Sequence, residues 1–217
     1  MVRGGRSHGR PTAFGLTTGR VEAFSDGVFA IAVTLLVLNI HVRPGSGPLW
    51  EEILRLWPAY AAYVASFLTI GIMWLNHHAL FSRVAAVDRP LVLLNLLLLM
   101  VVAFVPFPTE VLGDHILAGP DAQTASLLYA GVAVLIAITF SAVYTYIAAH
   151  PGLLASGFAS EDFFRLMPWY SAGLVSYLVC IPLSFVSPIA VVLMVALTAS
   201  YYAFDRLPGR RTDSSAG

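Results

Sequence analysis

Two short runs hold most of the groups that could do chemistry in this chain. Arg20-Val21-Glu22-Ala23-Phe24-Ser25-Asp26 sets a guanidinium and two carboxylates at the opening of an apolar stretch, and Trp74-Leu75-Asn76-His77-His78 closes another. A charged carboxylate at the centre of a membrane helix costs on the order of 2.5 to 3.5 kcal/mol and less near an end, so Asp26 requires partners within the protein. One role for Ser25 and Asp26 is that of first-turn residues, favoured at the positive end of the helix dipole. The other is a sideways hydrogen bond, with Asp26 accepting from the imidazole of His77 or the indole of Trp74. Those two clusters meet if the first helix ascends and the second descends. As metal ligands the histidines are poorly placed, since neighbours on a helix diverge by about 100° and no third ligand follows at helical spacing. No metal and no other cofactor is expected.

Helical spacing separates the first run into two faces. At about 100° per residue, Arg20, Phe24, Gly27, Ile31, Leu35 and Leu38 share one side, while Asp26 points roughly 140° away from Ile31. Thr34 lies about 60° from Ile31, on the flank of the stripe. Apolar residues spaced this way on a membrane helix ordinarily face lipid or a neighbouring helix, and the spacing alone assigns them nothing more.

The elements that position these groups are membrane helices. The 217 residues are 58% hydrophobic and 11% charged, with a mean hydropathy of +0.79. A soluble domain runs nearer 45–50% apolar and roughly 25% charged. Apolar segments fall at about 21–40, 57–81, 91–112, 124–148, 164–185 and 188–204, which predicts an all-α integral membrane protein of six transmembrane helices. Turn chemistry separates them at Pro44–Pro48, Arg83–Pro90, Gly113–Asp121, Pro151–Asp162 and Ser184–Pro188. Pro106 and Pro108 predict a kink in the third segment.

All the basic residues are arginines. With a cytoplasmic N-terminus, Arg3, Arg6, Arg10, Arg20, Arg83, Arg89, Arg165, Arg206, Arg210 and Arg211 lie inside, and only Arg43 and Arg55 lie outside. That bias predicts that both termini are cytoplasmic, and the protein is expected in the plasma membrane. The ends, 1–19 and 205–217, are expected to be disordered cytoplasmic segments flanking a membrane domain at 20–204. No small-residue cleavage site follows the first apolar segment, which is read as a retained helix. Zero net charge gives no basis for nucleic-acid binding, and the single Cys180 excludes an intramolecular disulfide.

Arg20-x-x-x-Phe24-Ser25-Asp26, running into Gly27-Val28-Phe29-Ala30-Ile31-Ala32-Val33-Thr34-Leu35-Leu36-Val37-Leu38, resembles the first helix of the transmembrane protein 175 family. Trp74-Leu75-Asn76-His77-His78, Asp88-Arg89-Pro90 and Pro106-Phe107-Pro108-Thr109 are similar to its bacterial members. The resemblance covers about the first half of the chain. It implies a potassium-permeable channel made as a homotetramer of six-helix subunits in the lipid bilayer, passing K+ along a pore lined by the first helices. It also implies that Ile31, Leu35 and Leu38 form a hydrophobic constriction, that Thr34 contributes to selectivity, and that Ser25, Asp26, His77 and Trp74 form a polar network behind the pore.

Other classes fit less well. No Thr-Val-Gly-Tyr-Gly filter and no regularly spaced voltage-sensor arginines are present. A proton-coupled secondary transporter could use Asp26 and His77 as a relay, yet paired repeats and broken midplane helices are not evident. An enzyme would have to use His77 and His78 beside Asp88, with no nucleophile elbow or His-Glu-x-x-His motif in support; no enzymatic activity is expected.

Overall fold

The structure is a computed structural model that describes residues 15–42 and 47–204, without the side chains of residues 162, 166–171 and 204. The expected disorder at 1–14 and 205–217, and the external Arg43, lie outside the described residues. Described residues 15–19 include the start of the first helix, so the expected disordered segment 1–19 overlaps ordered structure.

Every described element is helical. The chain runs α1 (Thr18–Leu35), a 3-10 turn (Leu36–Asn39), α2 (Leu49–Arg55), α3 (Trp57–Phe81), α4 (Arg89–Phe104), α5 (Pro106–His115), α6 (Pro120–Ala149), α7 (Ser160–Ser184) and α8 (Pro188–Phe204). Proline opens or nearly opens α3, α4, α5, α6 and α8, where its fixed φ suits the first turn and its missing N–H costs nothing. Asp88 caps α4 by accepting from the Leu91 N–H at 2.9 Å. Gly119, at φ 61°, makes the left-handed turn that admits Pro120.

By length and hydropathy, four stretches can cross a membrane: Thr18–Asn39, Trp57–Phe81, Arg89–His115 and Pro120–Ala149. The third is α4 and α5 taken together, broken at Val105 because Pro106 lacks the N–H that would continue the ladder. The last two apolar segments appear as α7 and α8, joined by a tight turn in which the Ser187 N–H bonds the Leu183 carbonyl. One element was not expected, the short α2 between the first two spans.

Two apolar clusters hold the bundle. Around α1, α3, α4 and α6, Phe29, Leu36, Ile70, Phe81, Leu98, Val102, Ile136 and Tyr144 interdigitate. Around α3, α5, α6, α7 and α8 the core is built from small residues, among them Ala62, Ala65, Ala130 and Cys180, which let helix backbones approach closely where lipid removes the hydrophobic drive. Gly113 on α5 shows how close: a Cβ there would stand 3.0 Å from the Ala59 Cα on α3. At one end of the bundle, the α3–α4 and α6–α7 connections pair. The Ala85 N–H bonds the Leu153 carbonyl and the Ala155 N–H bonds the Arg83 carbonyl, both at 2.8 Å, around a single antiparallel Val84–Leu154 bridge. The Arg83 guanidinium lies over the rings of Phe158 and Phe163.

Candidate functional site

The first helix has one packed face and one open face. Val21, Ser25, Phe29, Ala32 and Leu36, spaced by four, four, three and four, are buried against α3 and α4. On the opposite side Arg20, Phe24 and Gly27 are exposed, and Ile31, Leu35 and Leu38 show 60%, 41% and 70% of their surfaces. Thr34 is exposed beside them and donates its hydroxyl to the Ile31 carbonyl at 2.9 Å. Its oxygen keeps lone pairs free to accept.

The polar groups of the packed face join three helices. The His77 Nε2–H on α3 donates to Asn95 Oδ1 on α4 at 2.8 Å, and the Asn95 amide donates in turn to Ser25 Oγ on α1 at 3.0 Å. The Ser25 hydroxyl completes the run on the Val21 carbonyl at 2.8 Å. Because a carbonyl oxygen accepts only and each donor has one acceptor, the chain of bonds runs in one direction and fixes the His77 tautomer. Phe81 stacks on the His77 ring at 4.3 Å between centroids, and Phe29 meets it at 5.4 Å. Ser25, His77 and Asn95 are all buried, so their bonds replace water that the interior does not supply.

Asp26 sits outside this chain. Of the two partners expected for its carboxylate, the structure supplies the indole: Trp74 Nε1–H donates to Asp26 Oδ1 at 2.8 Å. His77 is bonded to Asn95 instead, because the imidazole turns inward toward α4 while Trp74 faces the α1–α3 groove. The two residues of the proposed proton relay therefore have different partners. His78 stacks on Trp74 and is exposed. Asp88, considered above as their catalytic companion, is engaged by the α4 N-terminus and by the Tyr146 hydroxyl at 2.7 Å. Among the described residues no three His, Cys, Asp or Glu gather into a group able to hold a metal ion.

Asn95 was missed from sequence. Its signal was available: one amide stands inside the run Leu91-Val92-Leu93-Leu94-Asn95-Leu96-Leu97-Leu98, and a polar residue in such a stretch needs a partner on another helix. Asn39, at the end of the 3-10 turn, was missed as well. Its amide donates to the Pro106 carbonyl at 2.6 Å and ties the far end of the first span to the kink between α4 and α5.

Residues 20–106 match the family model described as the endosomal/lysosomal potassium channel TMEM175. A potassium channel of Streptomyces collinus is 42% identical over 201 residues, covering 92% of this chain and 98% of the relative. One from Chamaesiphon minutus is 43% identical, covering 86% of this chain and 93% of that one. The crystal structure of a lysosomal potassium-selective channel TMEM175 homolog from Chamaesiphon minutus superimposes with a TM-score of 0.77 at 41% identity, over 86% of this chain and 96% of that chain. Matched along nearly its whole length by relatives of this identity, the chain belongs to the TMEM175 family of membrane channels.

Proposed function

We propose that this protein is a potassium-permeable channel in which four copies surround a pore lined by α1. The observation that carries this reading is the open apolar face of α1: Ile31, Leu35 and Leu38 stay exposed although the opposite face of the same helix is fully packed. In a ring of four chains these side chains meet around the axis and form a hydrophobic constriction, which gates by dewetting and sets whether a hydrated cation passes. Thr34 adds a hydroxyl oxygen at the flank of the constriction. Ser25, Asp26, Trp74 and His77 hold the helix rather than meet the ion, while Arg20 and Phe24 carry the motif onto its open face. The channel domain occupies 20–204 as six spans, with α7 and α8 as the last two and both termini in the cytoplasm of a plasma-membrane protein, as the arginine distribution supports. Its partners are K+, three further copies of itself and the bilayer.

Liposomes carrying opposed potassium and sodium gradients test the reading. Wild type is expected to drive the membrane potential toward the potassium equilibrium value, and Ile31→Asn to raise the flux by wetting the constriction. Absence of cation conductance in wild type, or an Ile31→Asn channel identical to wild type, would overturn it.

A further inference from the structure

We infer that α2 is an interfacial helix whose apolar face is seated in the lipid at the headgroup–acyl boundary, beside the mouth of the first span. At about 100° per residue, Leu49, Trp50, Ile53 and Leu54 fall within an arc of roughly 140°, and Glu51, Glu52 and Arg55 fill the opposite side. The apolar side stands open, and on the polar side Arg55 alone is exposed. Leu49, Trp50 and Leu54 show 64%, 61% and 62% of their surfaces, whereas Glu51 and Glu52 are partly covered.

The polar side has a place on the protein. Glu52 and Arg55 line a recess of about 250 Å³ with His41, Pro58, Gly113 and Asp114, and Arg55 lies 3.8 Å from Glu51. The apolar side is thereby directed outward from the bundle. Its depth is set by the chain: Leu56 alone separates α2 from Trp57, the first residue of a candidate span. A helix of this length is only about 10 Å long, so it stays at the level of that span's end. Tyr60 fixes the corner by donating its hydroxyl to the Ile53 carbonyl at 3.2 Å. Trp50 on α2 and Trp57 at the start of α3, both exposed, match the aromatic belt of membrane interfaces. With two carboxylates against one guanidinium on the polar side, seating depends on apolar burial and not on anionic headgroups.

The inference rests on α3 crossing the bilayer and not on conduction, so a failure of the flux assay leaves it standing. Spin labels placed singly at Trp50→Cys, Leu54→Cys, Glu52→Cys and Arg55→Cys, in a Cys180→Ser background reconstituted in phosphatidylcholine vesicles, test it. Labels at 50 and 54 are expected to collide several-fold more with oxygen, relative to a water-soluble nickel chelate, than labels at 52 and 55. Leu49→Cys and Glu51→Cys repeat the contrast should any of the four fail to fold. The same ratio is expected when anionic lipid is added. Equal access of the nickel chelate to all positions would place α2 in water, and immobile labels at 50 and 54 shielded from both probes would place it against another copy; either result overturns the inference.

Discussion

At the scale of single residues, Asn95 carries a disproportionate share of the order behind the first helix, because its carbonyl and its amide are engaged by two different helices. Asn95→Leu fills the space, takes from the Ser25 oxygen the bond it accepts and strands the buried His77 N–H, the latter a loss of about 1–3 kcal/mol. Thermal unfolding of the detergent-solubilised protein should show it as a lower Tm. Ser25→Ala, which removes one acceptor and leaves the His77–Asn95 bond in place, should cost less. Trp74→Phe keeps the ring and deletes the donor to Asp26. It is expected to lower stability while changing the potassium-to-sodium permeability ratio little, as measured by reversal potential. A collapse of that ratio with stability intact would mean that Asp26 meets the ion. The sequence made Asp26 conspicuous, since a carboxylate in an apolar helix is costly, but its spacing could not choose between His77 and Trp74. That choice depends on the rotation of α3 about its own axis, which is set by packing against α5, α8 and α1.

Among the elements, the match between apolar runs and helices is close where length and hydropathy do the work. The run at 57–81 is α3, residue for residue, and 188–204 is α8. The run at 91–112 was legible as one span with a kink, and Pro106 supplies the break at Val105. The helix α2 was not legible, because seven residues beside a Gly- and Pro-rich loop are too few to establish a period. Helix-to-helix distance was also hidden, and Gly113 is the clearest case. Gly113→Ala places a methyl group 3.0 Å from the Ala59 Cα and should cost about 1–3 kcal/mol through overpacking at the α3–α5 crossing. Chemical unfolding midpoints in detergent measure it. Ala59→Gly introduced as a second change should return only part of the loss, since it removes the 3.3 Å contact with the Ala59 Cβ and leaves the closer one with the Cα.

On the scale of the whole molecule, the proposed pore requires the open face of α1 to meet further copies of the chain. Native mass spectrometry is expected to find four copies in the solubilised particle. In a Cys180→Ser background, Leu38→Cys should form disulfide-linked chains on mild oxidation, because only residues near a symmetry axis approach their own copies. A Cys at Leu193, exposed on α8 and turned to lipid in such a ring, should not. The pairing of the 83–86 and 153–155 segments has a bearing on how such a ring could open. Two hairpins sewn together at their base by backbone bonds behave as a single lever arm, and a lever needs a pivot elsewhere. The 3-10 turn after α1, where the α-helical ladder gives way and the Asn39 amide reaches the α4–α5 kink, supplies one. Motion of the first helices in the proposed ring is therefore expected to be hinged at their Asn39 end, with the stitched end moving as a block.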